Sequence, residues 1–186
     1  MVNGGCGEMD LLRTYRAIVR ASGGARLVMG AEMGAYPVQV RSLEEGPSSL
    51  DRMVRVLAAF GLKRDWAAPY VDCRDARAGP CSHPPEYRYL NWGFVIGPVD
   101  ELRKLLSFVV AQGGNDQGQA ARYCFSHADA CTLDYGGLLS LSLHNFKPAM
   151  GDSPLEVRRT QGRSVVYNRA TQRTQCFVHG NGNGKA

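Results

Sequence analysis

No apolar stretch in these 186 residues approaches the length of a membrane span, and the first residues do not make a signal peptide. There is no dense run of lysine and arginine either. The net charge of +5, from 22 basic and 17 acidic residues, is spread along the chain, which suits a small anionic ligand better than nucleic acid. The six cysteines (Cys6, Cys73, Cys81, Cys124, Cys131 and Cys176) never fall as Cys-x-x-Cys, so the usual zinc and redox signatures are missing. Cys73 with Cys81, or Cys124 with Cys131, could pair in an oxidising compartment, and buried thiols fit the same spacings. No internal repeat is visible, and no Gly-x-x-x-x-Gly-Lys-Ser/Thr loop occurs.

What remains is an ordinary globular composition, 44% hydrophobic with 22 glycines, at a length that suits one domain. Its centre of organisation is Tyr89–Gln117. Phe94, Val95 and Ile96 form a short apolar run between Gly93 and Gly97, as in a strand buried on both faces. Pro98 suits a first helical turn, with Asp100 and Glu101 at the positive end of the dipole. Leu102, Leu105, Leu106, Val109 and Val110 repeat at helical spacing, and Gly113-Gly114 stops the helix. Asn91 before this unit, and Asn115, Asp116 and Gln117 after it, stand where ligand groups collect in an α/β sheet. A turn asparagine and a helix-capping aspartate fit the same positions.

Upstream, Glu8–Arg20 has the spacing of an amphipathic helix, with Leu11, Leu12, Tyr15, Ile18 and Val19 on one face and Gly23-Gly24 as its stop. Leu27-Val28-Met29 predicts a short buried strand running into Glu32, a carboxylate that serves either a site or a salt bridge, and then Tyr36-Pro37. Ser48-Ser49 can cap a helix over Leu50–Phe60, with Met53, Val56, Leu57 and Phe60 inward. Asp65–Pro85 has the composition of an irregular loop; Cys73, Cys81 and His83 would need a fourth ligand to hold zinc. Downstream, Gln117–Ser126 predicts a helix. Thr132–Tyr135 and Leu138–Leu143 predict two strands joined at Gly136-Gly137 by a hairpin-type turn. Val157, Val165–Tyr167 and Phe177-Val178 mark later strands. The order indicates α/β passing into an antiparallel end.

The most chemical segment is Val178-His179-Gly180-Asn181-Gly182-Asn183-Gly184-Lys185. An apolar strand delivers an imidazole able to ligate a metal. The glycines allow backbone N–H groups to form an anion nest, and Lys185 adds a positive charge for phosphate. A Gly/Asn-rich tail without any ligand has the same composition.

Three ordered stretches bring a family into view. Ala31-Glu32 with Tyr36-Pro37 is the first. The second is Tyr89-Leu90-Asn91-x-Gly93 through Ile96-Gly97, with Asp116-Gln117 and then Leu133-Asp134-Tyr135. The third is His179-Gly180-Asn181-Gly182-x-x-Lys185. Together they resemble the glycosyltransferase domain of the procollagen lysyl hydroxylase (procollagen galactosyl/glucosyltransferase) family, from about Glu8 onward. The resemblance implies an α/β sandwich of the GT-A-like, nucleotide-diphospho-sugar transferase kind. It also implies metal-dependent transfer of a hexose from a UDP-sugar, with manganese, to a hydroxyl on a protein or glycan of the hydroxylysine type. By position, His179 would ligate the metal, Lys185 would contact the diphosphate, and Gly180, Asn181 and Gly182 would turn around it. Asn91, Asp116 and Gln117 would face donor sugar or acceptor as the catalytic group, and Glu32 and Tyr36 would line the donor cleft. The family also implies the secretory pathway or ER lumen.

The departures are equally specific. The family's acidic Asp-x-x-Asp pair has no counterpart; Glu8 and Asp10 sit at a predicted helix start and serve its dipole. Asn115 stands where an acidic residue is usual, and Trp92 replaces a small one. Leu50–Phe60 has the character of an insertion. The chain is thus expected to be a single partial glycosyltransferase domain, 1–186, matching the C-terminal two-thirds and lacking the N-terminal nucleotide-binding half. The alternative is a non-catalytic sugar- or peptide-binding module on a degenerate glycosyltransferase fold. An unrelated α/β domain is the third reading.

Overall fold

The computed structural model describes residues 3–32, 47–61, 89–143, 155–160, 162–168 and 173–180. Within them the order is α1 (Glu8–Ala21), β1 (Leu27–Glu32), α2 (Pro47–Ala59), β2 (Tyr89–Ile96), α3 (Val99–Gln112), α4 (Asp116–Ser126) and β3 (Cys131–Leu133), then β4 (Ser140–Ser142), β5 (Leu155–Thr160), β6 (Arg163–Asn168) and β7 (Phe177–His179). This is a mixed α/β structure with small sheets. Tyr36, the 65–85 segment, Asn181, Gly182 and Lys185 lie outside the described residues.

β1 is buried along its whole length, and it is the middle of a three-stranded sheet ordered β2-β1-β3. It pairs antiparallel with β2 and parallel with β3. β4 and β7 pair in parallel, and β5 and β6 form an antiparallel hairpin. Ile18 of α1, Met53 and Val56 of α2, Leu105 and Val109 of α3 and Ala120, Ala121 and Tyr123 of α4 join Leu27, Val28 and Met29 in one core with Leu139 and Leu141. Among the described residues, one disulfide, Cys6–Cys176, joins positions 170 residues apart, and another, Cys124–Cys131, links α4 to β3.

Several sequence expectations are revised. Asp134 and the residues around it do not make a hairpin, because β3 adds to β1 while β4 adds to β7. The reason is local: the Asp134 carboxylate accepts N–H bonds from Leu138 and Leu139 at 2.7 Å and from Ser140 at 2.9 Å, turning the chain from one sheet to the other. Phe94, Val95 and Ile96 are half-buried rather than buried on both faces, since β2 is an outer strand among those described. On α3, Leu106 and Val110 are exposed (47% and 79%), and Leu105 and Val109 face the core. α2 begins at Pro47, so Ser48 and Ser49 lie inside its first turn. Asp10 keeps its expected place: its carboxylate accepts from Gly7 N at 3.3 Å and caps α1.

Candidate functional site

The site begins with a disturbance in the β1–β2 ladder. Val28 and Met29 pair with Ile96 and Val95, but the next residue, Gly30, pairs with Asn91. Trp92, Gly93 and Phe94 are therefore looped out of register, a bulge that re-aims the strand. Gly30 permits it. A side-chain carbon there would stand 3.0 Å from the Asn91 carbonyl oxygen and 3.2 Å from Phe94 Cβ.

The bulge orders a polar cluster. Glu32, at the end of β1, is buried. Asn91 Nδ2 donates to Glu32 Oε2 at 3.1 Å, and Gln117 Nε2 donates to Glu32 Oε1 at 3.0 Å. The amide oxygens face the other way: Gln117 Oε1 accepts from Trp92 N at 3.1 Å, and Asn91 Oδ1 accepts from Gly93 N at 2.9 Å. Backbone N–H groups can only donate and a carboxylate can only accept, so both amide orientations follow from the network itself. Residues far apart in sequence thus converge, Gln117 standing 85 positions from Glu32.

α4 brings Gln117 here. The positive φ of Gly113 and Gly114 (62° and 77°) ends α3 and reverses the chain, and Asn115 Oδ1 then caps α4 by accepting from Gly118 N at 2.8 Å. Asp116 sits beside Gln117 on the exposed side, with Oδ1 accepting from Gln117 N at 2.8 Å. The cap of this helix is therefore Asn115, and Asp116 presents its carboxylate at the helix start.

β7 brings His179. Phe177 packs on Phe94 of the bulge with ring centroids 5.1 Å apart, and two residues later the His179 ring lies against Gly93. A side-chain carbon on Gly93 would overlap that ring, so the absence of one makes room for the imidazole. Gly180 follows on the exposed side. Sequence reading assigned Gly93 the boundary of a strand and a place in the Asn91-x-Gly93 motif, with no contact to His179. Its role depends on β7, 86 positions away in the chain, and no local pattern carries that signal.

Glu32, Asn91, Gln117 and, through Gly93, His179 therefore form one neighbourhood, with Asp116 adjacent to Gln117. A buried carboxylate without donors would cost several kcal/mol, and the two amides supply them. Such a cluster holds a carboxylate in a fixed orientation, and carboxylates and amides are groups that bind hydroxyls. Among the described residues, no three His, Cys, Asp or Glu side chains gather as a metal site. No helix among them is long and apolar enough to cross a membrane. No protein-family model matches the chain, and no curated protein matches it.

Proposed function

We propose that the chain belongs to a GT-A-like domain that transfers a hexose from a UDP-sugar to a hydroxyl of a protein or glycan, hydroxylysine-like, with manganese. The observation that carries this reading is the meeting of Glu32, Asn91 and Gln117 with the Gly93 bulge on which His179 rests. These residues come from three of the ordered stretches that resemble the lysyl hydroxylase glycosyltransferase domain.

In this reading His179 would hold the metal through its imidazole. When bound, the metal neutralises charge that builds on the departing UDP. Glu32 is held by two amide donors and accepts from hexose hydroxyls, which orients the donor sugar. Asp116, exposed at the start of α4, accepts the proton of the acceptor hydroxyl as its oxygen attacks the anomeric carbon and the bond to UDP breaks. By the same resemblance Gly180, Asn181, Gly182 and Lys185 would serve the diphosphate and Tyr36 the donor, and of these only Gly180 lies within the described residues. The two disulfides support an oxidising compartment such as the ER lumen.

The test is UDP release from UDP-glucose and UDP-galactose, with a hydroxylysine peptide as acceptor, with and without manganese. Metal-dependent release that Asp116→Ala lowers at least tenfold supports the transferase. A second reading, a sugar-binding module without chemistry, draws on the same cluster, because both Glu32 oxygens already accept hydrogen bonds within the protein. Hexose binding without UDP release in either metal condition would favour it.

A further inference from the structure

We propose that Asp134 is a positioning residue for His179, a role that rests on His179 being the residue presented to the ligand. Asp134 is fully buried, and three features around it connect in one direction. First, its backbone is fixed to the main sheet, with Asp134 N donating to the Met29 carbonyl oxygen at 2.8 Å. Second, its carboxylate gathers the N–H groups of Leu138, Leu139 and Ser140, and its carbonyl oxygen takes Gly137 N at 2.8 Å. The six residues between β3 and β4, Asp134 to Leu139, are thereby closed around the Asp134 side chain. Third, the gathered segment is the template for β7. The Leu139 carbonyl oxygen accepts from Phe177 N at 2.9 Å, Ser142 pairs with His179, and Leu143 N donates to the His179 carbonyl oxygen at 2.9 Å.

The path from carboxylate to imidazole is therefore short and made of backbone. Leu139 donates its N–H to Asp134 and accepts the N–H of Phe177, and β7 carries the ring two residues further on. At the far end the ring has little freedom, since it lies against Gly93 where a side-chain carbon would already overlap it. A small rotation of β7 would press His179 into the bulge or lift it away. A buried carboxylate suits this task because each oxygen has two lone pairs and can serve several converging N–H groups at once. An amide in the same place has only one accepting atom and would turn an NH₂ group toward a backbone donor. Asp134 touches no reacting group in this account; it acts through β4 and β7.

The experiment compares Asp134→Asn with the wild type in the full chain, by NMR of the Leu138–Ser140 amides and the His179 ring, and by calorimetry with manganese and UDP as probes. Asp10→Asn, which removes a carboxylate charge at the start of α1, is the control for loss of a carboxylate elsewhere. The expected result is that Asp134→Asn shifts the 138–140 amides and the His179 ring signals together, and weakens manganese–UDP binding at least tenfold. Asp10→Asn should leave the His179 ring unmoved. The proposal is overturned if the 138–140 amides shift and the His179 ring does not. A wild type that fails to bind manganese–UDP would sink the transferase reading alone, because the ring signals still decide the positioning role. Should Asp134→Asn not fold, hydrogen exchange of the wild type decides instead: the amides of Leu139, Ser140 and Phe177 must open as one unit, and separate opening of Phe177 would refute the link.

Discussion

Exchanging the functional groups of Glu32 and Gln117 probes the cluster without changing its size or charge. Four hydrogen bonds join Glu32, Asn91, Gln117 and the Trp92 and Gly93 amides, each pairing one N–H with one oxygen. Glu32→Gln replaces one acceptor by a donor. Rotating an amide does not cure this, because a rotated Asn91 or Gln117 would aim NH₂ at a backbone N–H. One buried donor is left unpaired, at about 1–3 kcal/mol, or a fall of about 4–8 °C in melting temperature for 2 kcal/mol in a chain of this size. Gln117→Glu alone sets two carboxylates against each other and destabilises by a comparable amount. The double variant rebuilds the pattern: residue 117 then accepts from Trp92 N and from the new amide at position 32, whose oxygen accepts from Asn91. Chemical denaturation of all four proteins should show the double variant recovering about 1–3 kcal/mol relative to the sum of the single losses. Simple additivity of the two losses would refute this description of the cluster.

Three further outcomes follow. Gly93→Ala should cost about 1–3 kcal/mol by overpacking and move the His179 ring; unchanged His179 NMR signals would contradict the contact. Loss of Cys6–Cys176, which closes 170 residues, should destabilise by about 5 kcal/mol on a loop-entropy basis, against about 2 kcal/mol for Cys124–Cys131, which closes 7. Urea unfolding of the two double-serine variants checks that order. Burial pushes the Asp134 carboxyl up to about 6, opposed by the N–H bonds from Ser140, Leu139 and Leu138. A raised folded-state value favours the protonated form, so this contribution to stability is full below the unfolded value near 3.8 and is lost as pH rises through about 6. The difference in unfolding free energy between wild type and Asp134→Asn should therefore shift by about 3 kcal/mol against the wild type from pH 3.5 to pH 7; a flat difference would refute it.

Much of this architecture is local and was legible in the sequence. Helical spacing marks α1, α3 and α4, and the Gly113-Gly114 stop lies at the end of α3. Where α3 turns its faces was not legible. Leu102, Leu105 and Val109 form one apolar stripe and Val99, Leu106 and Val110 another, so periodicity alone does not choose the buried one. The Asp134 turn was misread for a related reason. Gly136-Gly137 between apolar runs has the pattern of a hairpin, whereas a single buried carboxylate sends the second run to a different partner strand. Glu32, Asn91 and Gln117 were nameable individually as polar residues at strand and helix ends. Their junction depends on the bulge register opposite Gly30, and that is a property of pairing rather than of either strand.

Calorimetric titration of UDP into the chain, with and without manganese, for wild type and His179→Ala, tests the central claim most directly. Under the proposed reading, in which His179 is the protein's metal donor, metal and nucleotide should bind cooperatively, each strengthening the other by the same factor. His179→Ala should remove the manganese dependence and leave only the weaker metal-free binding of UDP. Equal UDP affinity with and without manganese in the wild type, unchanged by His179→Ala, would contradict the account.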